Sequence, residues 1–339
     1  MNEEQFVKTT SDNVALHLSD VEGAAARIKP FIHRTPVLTS RTLDQLVEAQ
    51  VFLKAECYQR VGAFKIRGAL NKVLPLSAEE RARGLFAWSS GNHAQAVALA
   101  AQIVGTTATI LMPKDASEAK MLAVRGYGAE IITYDRYTED RQALAQQLAY
   151  ERNAVVVPPY DDLSIMGGQG TVALELIEQV EQLDVLLVPA SGGGLIAGCA
   201  TVVTAFNPKC RVYGVEPVTG NDTKLSLDAS TRVRIPVPHT IADGLQVEIP
   251  GELTFAINHQ LLTDILLVTD DEILAAMAFL FERLKVVAEP SGASAVAALL
   301  ARKVNVANSR VGVVISGGNV GLQRFCALLA SKTALYPSG

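Results

Sequence analysis

Residues 184–206 read DVLLVPASGGGLIAGCATVVTAF. After Asp184 comes a short apolar run, the length of a strand buried on both faces. Ser191-Gly192-Gly193-Gly194-Leu195 then makes a turn of small residues, and an uncharged helical stretch follows. Leu186–Phe206 is also 21 residues without a charge, long enough to cross a bilayer. Pro189 and three consecutive glycines in its first half argue against one continuous helix. The stretch therefore reads as buried strand, glycine turn and buried helix, the unit from which a doubly wound sheet is built.

The same alternation extends outward. Strands are expected at 51–56, 85–88, 107–112, 130–134, 154–157, 184–188, 211–216, 265–269 and 310–315. Helical patterns fall between most of them, at 92–104, 139–151, 170–182, 270–285 and 291–302. The strands are apolar on both faces, as when helices cover both sides of a parallel sheet. Two further strands run into small polar turns: 85–88 into Ser89-Ser90-Gly91-Asn92-His93, and 310–315 into Ser316-Gly317-Gly318-Asn319. Each such turn sets backbone N–H groups at the positive end of a helix, which is what an anion needs.

Composition narrows the partner. The chain has 339 residues, which at roughly 150 per domain suggests two domains or one large one. It is 49% hydrophobic and 19% charged, enough to bury a core and too apolar for disorder. Lys+Arg is 30 and Asp+Glu 35, so the net charge is 30 − 35 = −5. With no basic block, the expected partner is a small molecule and not nucleic acid or a membrane. Cys57, Cys199, Cys210 and Cys326 lack zinc-ligand spacing and read as small buried hydrophobes in a reducing compartment. The polar N-terminus carries no apolar signal segment, so a soluble, cytoplasmic protein is expected.

The glycine turn permits two chemistries. Gly192-Gly193-Gly194-Leu195-Ile196-Ala197 satisfies the G-x-G-x-x-A dinucleotide fingerprint, and Glu216 stands 19 residues after Ala197, near the spacing of a ribose-binding acid. A nicotinamide oxidoreductase is one reading. The other starts from Lys65, set among apolar and glycine neighbours in Gly62-Ala63-Phe64-Lys65-Ile66-Arg67-Gly68-Ala69 at an expected helix start. A lysine with lowered pKa in a dry pocket forms a Schiff base with an aldehyde cofactor. A phosphate cradle with such a lysine points to pyridoxal 5′-phosphate.

Phe64–Ala69, Ser89–His93, Ser191–Leu195, Ala242-Asp243-Gly244 and Ser316–Asn319, in that order over about residues 20 to 330, resemble the serine/threonine dehydratases and serine racemase. These are pyridoxal-phosphate enzymes of the tryptophan-synthase-β fold type (fold type II). Ile66 after the lysine, where other branches have Asp or Asn, favours the dehydratase branch.

The resemblance implies an α/β fold of two open, twisted, mainly parallel sheets flanked by helices. Residues 1–74 and 161–339 would form a large cofactor-binding domain, and 75–160 a smaller mobile domain inserted into it. It implies that Lys65 holds the cofactor, that Phe64 packs near its ring, and that Ser191, Gly192, Gly193, Gly194 and Leu195 bind its phosphate. Asn92 would bond the ring 3′-oxygen, Gly244 would lie against the ring, and Ser316 would face the pyridine nitrogen. The substrate carboxylate would sit on Ser89, Ser90, Gly91, Asn92 and His93, with His93 contributing backbone and Arg141 a second partner. Lys65 would act as the base in β-elimination. Ser90, on the opposite face, would keep racemisation open. The resemblance also marks Glu216, the Gly220 carbonyl and Asp222 as a Mg²⁺ or Ca²⁺ position; the alternative is an exposed loop with Asp222 capping the next helix.

The implied activity is an ammonia-lyase that converts a β-hydroxy L-amino acid to a 2-keto acid and ammonia, with serine racemase as the alternative. A homodimer is expected. The chain ends near the last helix, so the regulatory domain of long threonine dehydratases and its feedback control are not expected. Ala63, Tyr160 and Val247 depart from serine or small polar residues of the family and make the pocket less polar. They admit threonine or a bulkier substrate such as 3-phenylserine, and leave serine, threonine, 3-hydroxyaspartate and 3-phenylserine unranked.

Overall fold

The protein is seen here as a computed structural model that describes residues 16–330 except Ser90, Ser117 and Arg136, and omits the side chains of Ala119, Arg141 and Gln142. Ten strands are present: β1 (Val37–Leu38), β2 (Gln50–Ala55), β3 (Leu85–Trp88), β4 (Ala108–Pro113), β5 (Glu130–Tyr134), β6 (Val155–Val156), β7 (Val185–Pro189), β8 (Arg211–Pro217), β9 (Asp264–Val268) and β10 (Arg310–Ile315). They form two sheets, ordered β1-β2-β10-β7-β8-β9 and β5-β4-β3-β6. Every pairing is parallel except β1 with β2. The central strands β7 and β10 are buried along nearly their whole length, as a sheet covered by helices on both faces requires.

The nine expected strands are all found, within two residues at each end. The tenth, β1, is a two-residue antiparallel edge, too short for an alternation signal. The larger correction concerns the helix expected at 170–182. It runs Leu163–Val180, capped by Asp162, whose side chain accepts from the Ile165 amide at 3.0 Å. Gly167, Gly168 and Gly170 lie inside it. They read as helix breakers, but serve close packing: a Cβ on Gly168 would come within 2.6 Å of the Gly68 Cα, and one on Gly170 within 2.9 Å of the Gly198 carbonyl oxygen. Neighbouring helices cross backbone to backbone there, which offsets the roughly 1 kcal/mol cost of a helical glycine. The helix expected at 270–285 is α-helical over Asp270–Phe279 and continues as a π turn over Leu280–Leu284.

Helix Gly194–Phe206 follows β7 through the glycine turn, and no helix among the described residues is long and apolar enough to cross a membrane. Of the cysteines, Cys199 and Cys210 are buried and Cys57 is half-buried. Cys326 is exposed, against expectation, because it lies on the outer face of helix Leu322–Ala330, where Phe325 is the buried residue.

A buried ionic cluster ties the helix Lys65–Val73 to β2 and to helix Leu163–Val180. Arg67, fully buried, donates to Glu56 through Nε and Nη2 at 2.8 Å each, and to Glu175 at 2.8 and 2.9 Å. Lys54, also buried, donates to Glu175 at 2.7 Å and to the Thr35 carbonyl at 2.9 Å. Two cations face two carboxylates, so the cluster is neutral, the condition under which buried charge is tolerated.

Candidate active site

The turns after β3, β7 and β10 line one cleft between the two sheets, as expected where strand C-termini meet helix N-termini. The same cleft receives Phe64, Lys65, Tyr160 and the segment Asp243–Val247.

Lys65 opens its helix and is half-buried, with Nζ donating to the Pro159 carbonyl at 2.6 Å and standing 5.1 Å from the Phe64 ring centre. Burial without a compensating carboxylate lowers its pKa to about 8. Roughly a tenth of the amine is therefore unprotonated at pH 7, far more than for an ordinary lysine.

The glycine turn is braced from behind. Thr254 Oγ1 donates to the Gly192 carbonyl at 2.6 Å, and Asn258 Nδ2 to the Gly193 carbonyl at 3.3 Å. In a planar trans peptide, N–H points opposite to C=O. Tying those two carbonyls to helix Glu252–Leu261 therefore aims the Gly193 and Gly194 amides the other way. Gly193 has φ +91° and Ser191 φ +63°, both left-handed, and the Ser191 hydroxyl donates to the Gly244 carbonyl at 3.0 Å. A Cβ on Gly192 would strike the Tyr160 ring. Nothing in the local sequence marks Thr254 or Asn258; both sit in an ordinary-looking amphipathic helix. Gly244 lines the cleft, but the atoms a Cβ there would meet are Ser291 Oγ at 2.9 Å and Ser291 Cβ at 3.2 Å.

Asn92 begins the helix after β3. Its Nδ2 donates to Glu289 Oε1 at 2.6 Å, and its Oδ1 accepts from Asn319 Nδ2 at 2.8 Å. Ser316 is buried at the end of β10, and its carbonyl accepts from the Phe64 amide at 3.2 Å. Ser89, Gly91 and Leu195 line the cleft as well, and Ser89 Oγ accepts from the Gly91 amide at 3.1 Å. Ser90 lies outside the described residues, as does the side chain of Arg141, whose backbone opens the helix Arg141–Glu151. The His93 ring is buried and pairs Nε2 with the Val157 carbonyl at 2.8 Å. A carbonyl only accepts, so Nε2 carries the hydrogen. Burial, with Lys65 nearby, pushes its pKa down to about 3, so the ring stays neutral.

Nothing in the local sequence marks Glu289 as part of the site. A lone glutamate ahead of Pro290 reads as a helix N-terminal residue, yet its carboxyl is buried in the cleft wall. Lys120 and Asp243 pair at 2.5 Å across the cleft mouth.

Glu216 does not line the cleft. Its carboxylate accepts from the Thr223 and Lys224 amides at 3.3 and 3.1 Å, so the ribose-binding role allowed by its spacing is not what the fold provides. Asp222 is buried and is the first residue of a helix whose N-cap position is Asn221, which corrects the alternative of an exposed loop with Asp222 as the cap. Both Asp222 carboxylate oxygens lack a hydrogen-bond partner among the described residues, and Gly220 is buried beside them in the chain. Burial pushes Asp222 up to about 7, and burial with Asp222 nearby pushes Glu216 well up. No group of three or more His, Cys, Asp or Glu side chains that could hold a metal occurs among the described residues.

A family profile described as pyridoxal-phosphate dependent enzyme matches residues 28–317. The chain is 49% identical over 313 residues to L-threo-3-hydroxyaspartate ammonia-lyase of Saccharomyces cerevisiae, covering 92% of this chain and 96% of that one. It is 46% identical over 321 residues to serine racemase of Schizosaccharomyces pombe, covering 94% and 99%. The structure of maize serine racemase superposes with a TM-score of 0.88 at 41% identity, covering 94% of this chain and 98% of that one. A profile match over most of the chain, together with relatives of this identity and coverage, shows that the chain belongs to the pyridoxal-phosphate-dependent enzymes, in the serine/threonine dehydratase and serine racemase family.

Proposed function

We propose that the protein is an ammonia-lyase that converts a β-hydroxy L-amino acid to a 2-keto acid and ammonium. The observation that carries this reading is Lys65, a desolvated amine with pKa about 8 in the cleft that the braced glycine turn lines. The residues present fit the family's cofactor. Gly192 has no room for a Cβ, and the peptide orientation set by Thr254 and Asn258 offers two amides to a phosphate at a helix N-terminus.

In this reading Ser191–Leu195 hold the phosphate, Lys65 holds the aldehyde carbon, and Phe64 and Gly244 flank the ring. Asn92 donates to the ring oxygen and Ser316 faces the ring nitrogen. Pyridoxal 5′-phosphate, when bound, supplies an aldehyde that condenses with the substrate amine and a ring that spreads negative charge from Cα. The protein does the rest. The amides at Ser89–His93 bind the α-carboxylate, with the Arg141 guanidinium as its second partner. The free Lys65 amine takes the Cα proton. The β-hydroxyl leaves as water with a proton that the Lys65 ammonium or the cofactor phosphate would supply, and water then hydrolyses the released enamine to keto acid and ammonium. Ser90 on the far face is the group that would return a proton with inversion.

Residues 75–160 act as the smaller lobe that closes on the substrate, the rest as the larger lobe, and two copies form the working dimer. The relatives support substrates of the serine, threonine and 3-hydroxyaspartate type. Glu216, the Gly220 carbonyl and Asp222 are proposed to hold Mg²⁺ or Ca²⁺; the support is the pair of buried, unpartnered Asp222 oxygens, since hard oxygens suit such an ion.

The test is a panel of L- and D-β-hydroxy amino acids scored for keto acid and for the inverted enantiomer. Keto acid from at least one L-substrate, lost in Lys65→Ala, is the expected result. Full activity in Lys65→Ala, or no turnover across the panel by cofactor-loaded protein, overturns the proposal.

A further inference from the structure

We propose that Glu289 is a positioning residue: together with Asn319 it fixes the Asn92 amide in one orientation and forms the wall of the cofactor pocket between Asn92 and Ser316. The inference rests on the reading that Asn92 meets the cofactor ring oxygen.

An asparagine amide can present either its oxygen or its NH₂ group to a ligand. Here the choice is made by its neighbours. Asn319 Nδ2 donates both to the Val61 carbonyl at 2.6 Å and to Asn92 Oδ1 at 2.8 Å. The first partner only accepts, so the Asn319 nitrogen is the donor, and the Asn92 atom facing it must be oxygen. Asn92 Nδ2 then faces Glu289 Oε1 at 2.6 Å. One amide hydrogen is used on Glu289, and the other remains for a ligand oxygen.

The three side chains come from separate stretches of chain: a helix start, the residue ahead of Pro290, and the turn after β10. Glu289 is further held by its own amide, which donates to the Gly317 carbonyl at 3.1 Å. The space is tight. A Cβ on Gly317 would run into the Glu289 carboxyl and come within 3.2 Å of Asn92 Nδ2. The carboxyl therefore sits against the backbone next to Ser316, between the residues read as facing the ring oxygen and the ring nitrogen.

Charge sharpens the role. Burial and the neighbouring Asp243 carboxylate raise the Glu289 pKa to about 8, outweighing the Asn92 bond and the more distant Lys120 and Arg324 cations. Cys57, which also senses Glu289, is neutral because burial pushes its thiol up to about 12. At neutral pH this edge of the pocket thus carries a proton and no charge. Above about pH 8 it acquires a negative charge beside the ring.

The experiment follows the visible absorbance of the cofactor-loaded enzyme from about pH 6 to about pH 10, with cofactor affinity measured in parallel. The wild type is expected to show a spectral transition near pH 8 that Glu289→Gln removes while still binding cofactor, because the amide keeps an acceptor for Asn92 but cannot ionise. Glu289→Ala and Asn319→Ala are expected to weaken cofactor binding roughly tenfold, the effect of losing about one hydrogen bond. A transition that persists unchanged in Glu289→Gln belongs to Lys65 and overturns the inference. Wild-type affinity in both alanine variants overturns it too. If the wild type takes up no cofactor at all, the functional proposal fails instead, so the two failures are distinct.

Discussion

Replacing Arg67 with methionine removes the guanidinium at the centre of the buried cluster and leaves Glu56, fully buried, and Glu175, largely buried, facing Lys54 alone. The local charge goes from zero to −1, and four charge-assisted hydrogen bonds between Arg67 and the two carboxylates are lost. Removing one partner of a buried ion pair costs about 3–5 kcal/mol, chiefly through the uncompensated charge. That corresponds to a change of roughly two to four decades in the ratio of folded to unfolded protein. Urea denaturation reads this out, with the fluorescence of Trp88, the sole tryptophan, as probe. Because Arg67 stands two residues from Lys65 on one helix, cofactor content is expected to fall with stability. A double variant, Arg67→Met with Glu56→Gln, leaves the neutral Lys54–Glu175 pair and is expected to recover most of the loss. A denaturation shift worth less than about 1 kcal/mol for the single variant, the size of a surface pair, would refute the reasoning.

Gly193→Ala places a Cβ 2.6 Å from Asn258 Nδ2 at φ +91°; equilibrium titration is expected to show cofactor affinity reduced by roughly tenfold or more. His93 has its folded-state pKa depressed to about 3, so the folded protein refuses a proton that the unfolded chain binds near pH 6.5. Its contribution to stability is complete above about pH 6.5 and is lost as pH falls toward about 3, with a slope of up to about 1.4 kcal/mol per unit. Melting temperature against pH is expected to flatten in that window for His93→Gln. Mg²⁺ is expected to raise the melting temperature of the wild type but not of Asp222→Asn, and removal by a chelator to reverse the shift.

The sequence made the sheet legible because buried parallel strands are continuous apolar runs, and the glycine turn legible because few backbones besides glycine tolerate its geometry. The edge strand β1 was hidden by its length, and the start of helix Leu163–Val180 by three glycines whose purpose is contact with helices distant in sequence. Lys65 stood out through its motif. Glu289, Thr254 and Asn258 did not, since each acts by touching a residue tens to hundreds of positions away, and nothing in a local pattern records such a meeting. The Lys54–Arg67–Glu175 cluster was missed for the same reason: a lysine inside an apolar strand finds its partner 121 residues on.

The ion pair between Lys120 and Asp243 has a consequence for traffic through the cleft. Its side chains are 27% and 30% exposed, so water already shares both charges. A clasp of that kind is worth no more than about 1 kcal/mol, and dissolved salt weakens it further. The mouth is thus fastened loosely enough that thermal agitation unhooks it on its own. A departing product would not have to break a strong bond on its way out.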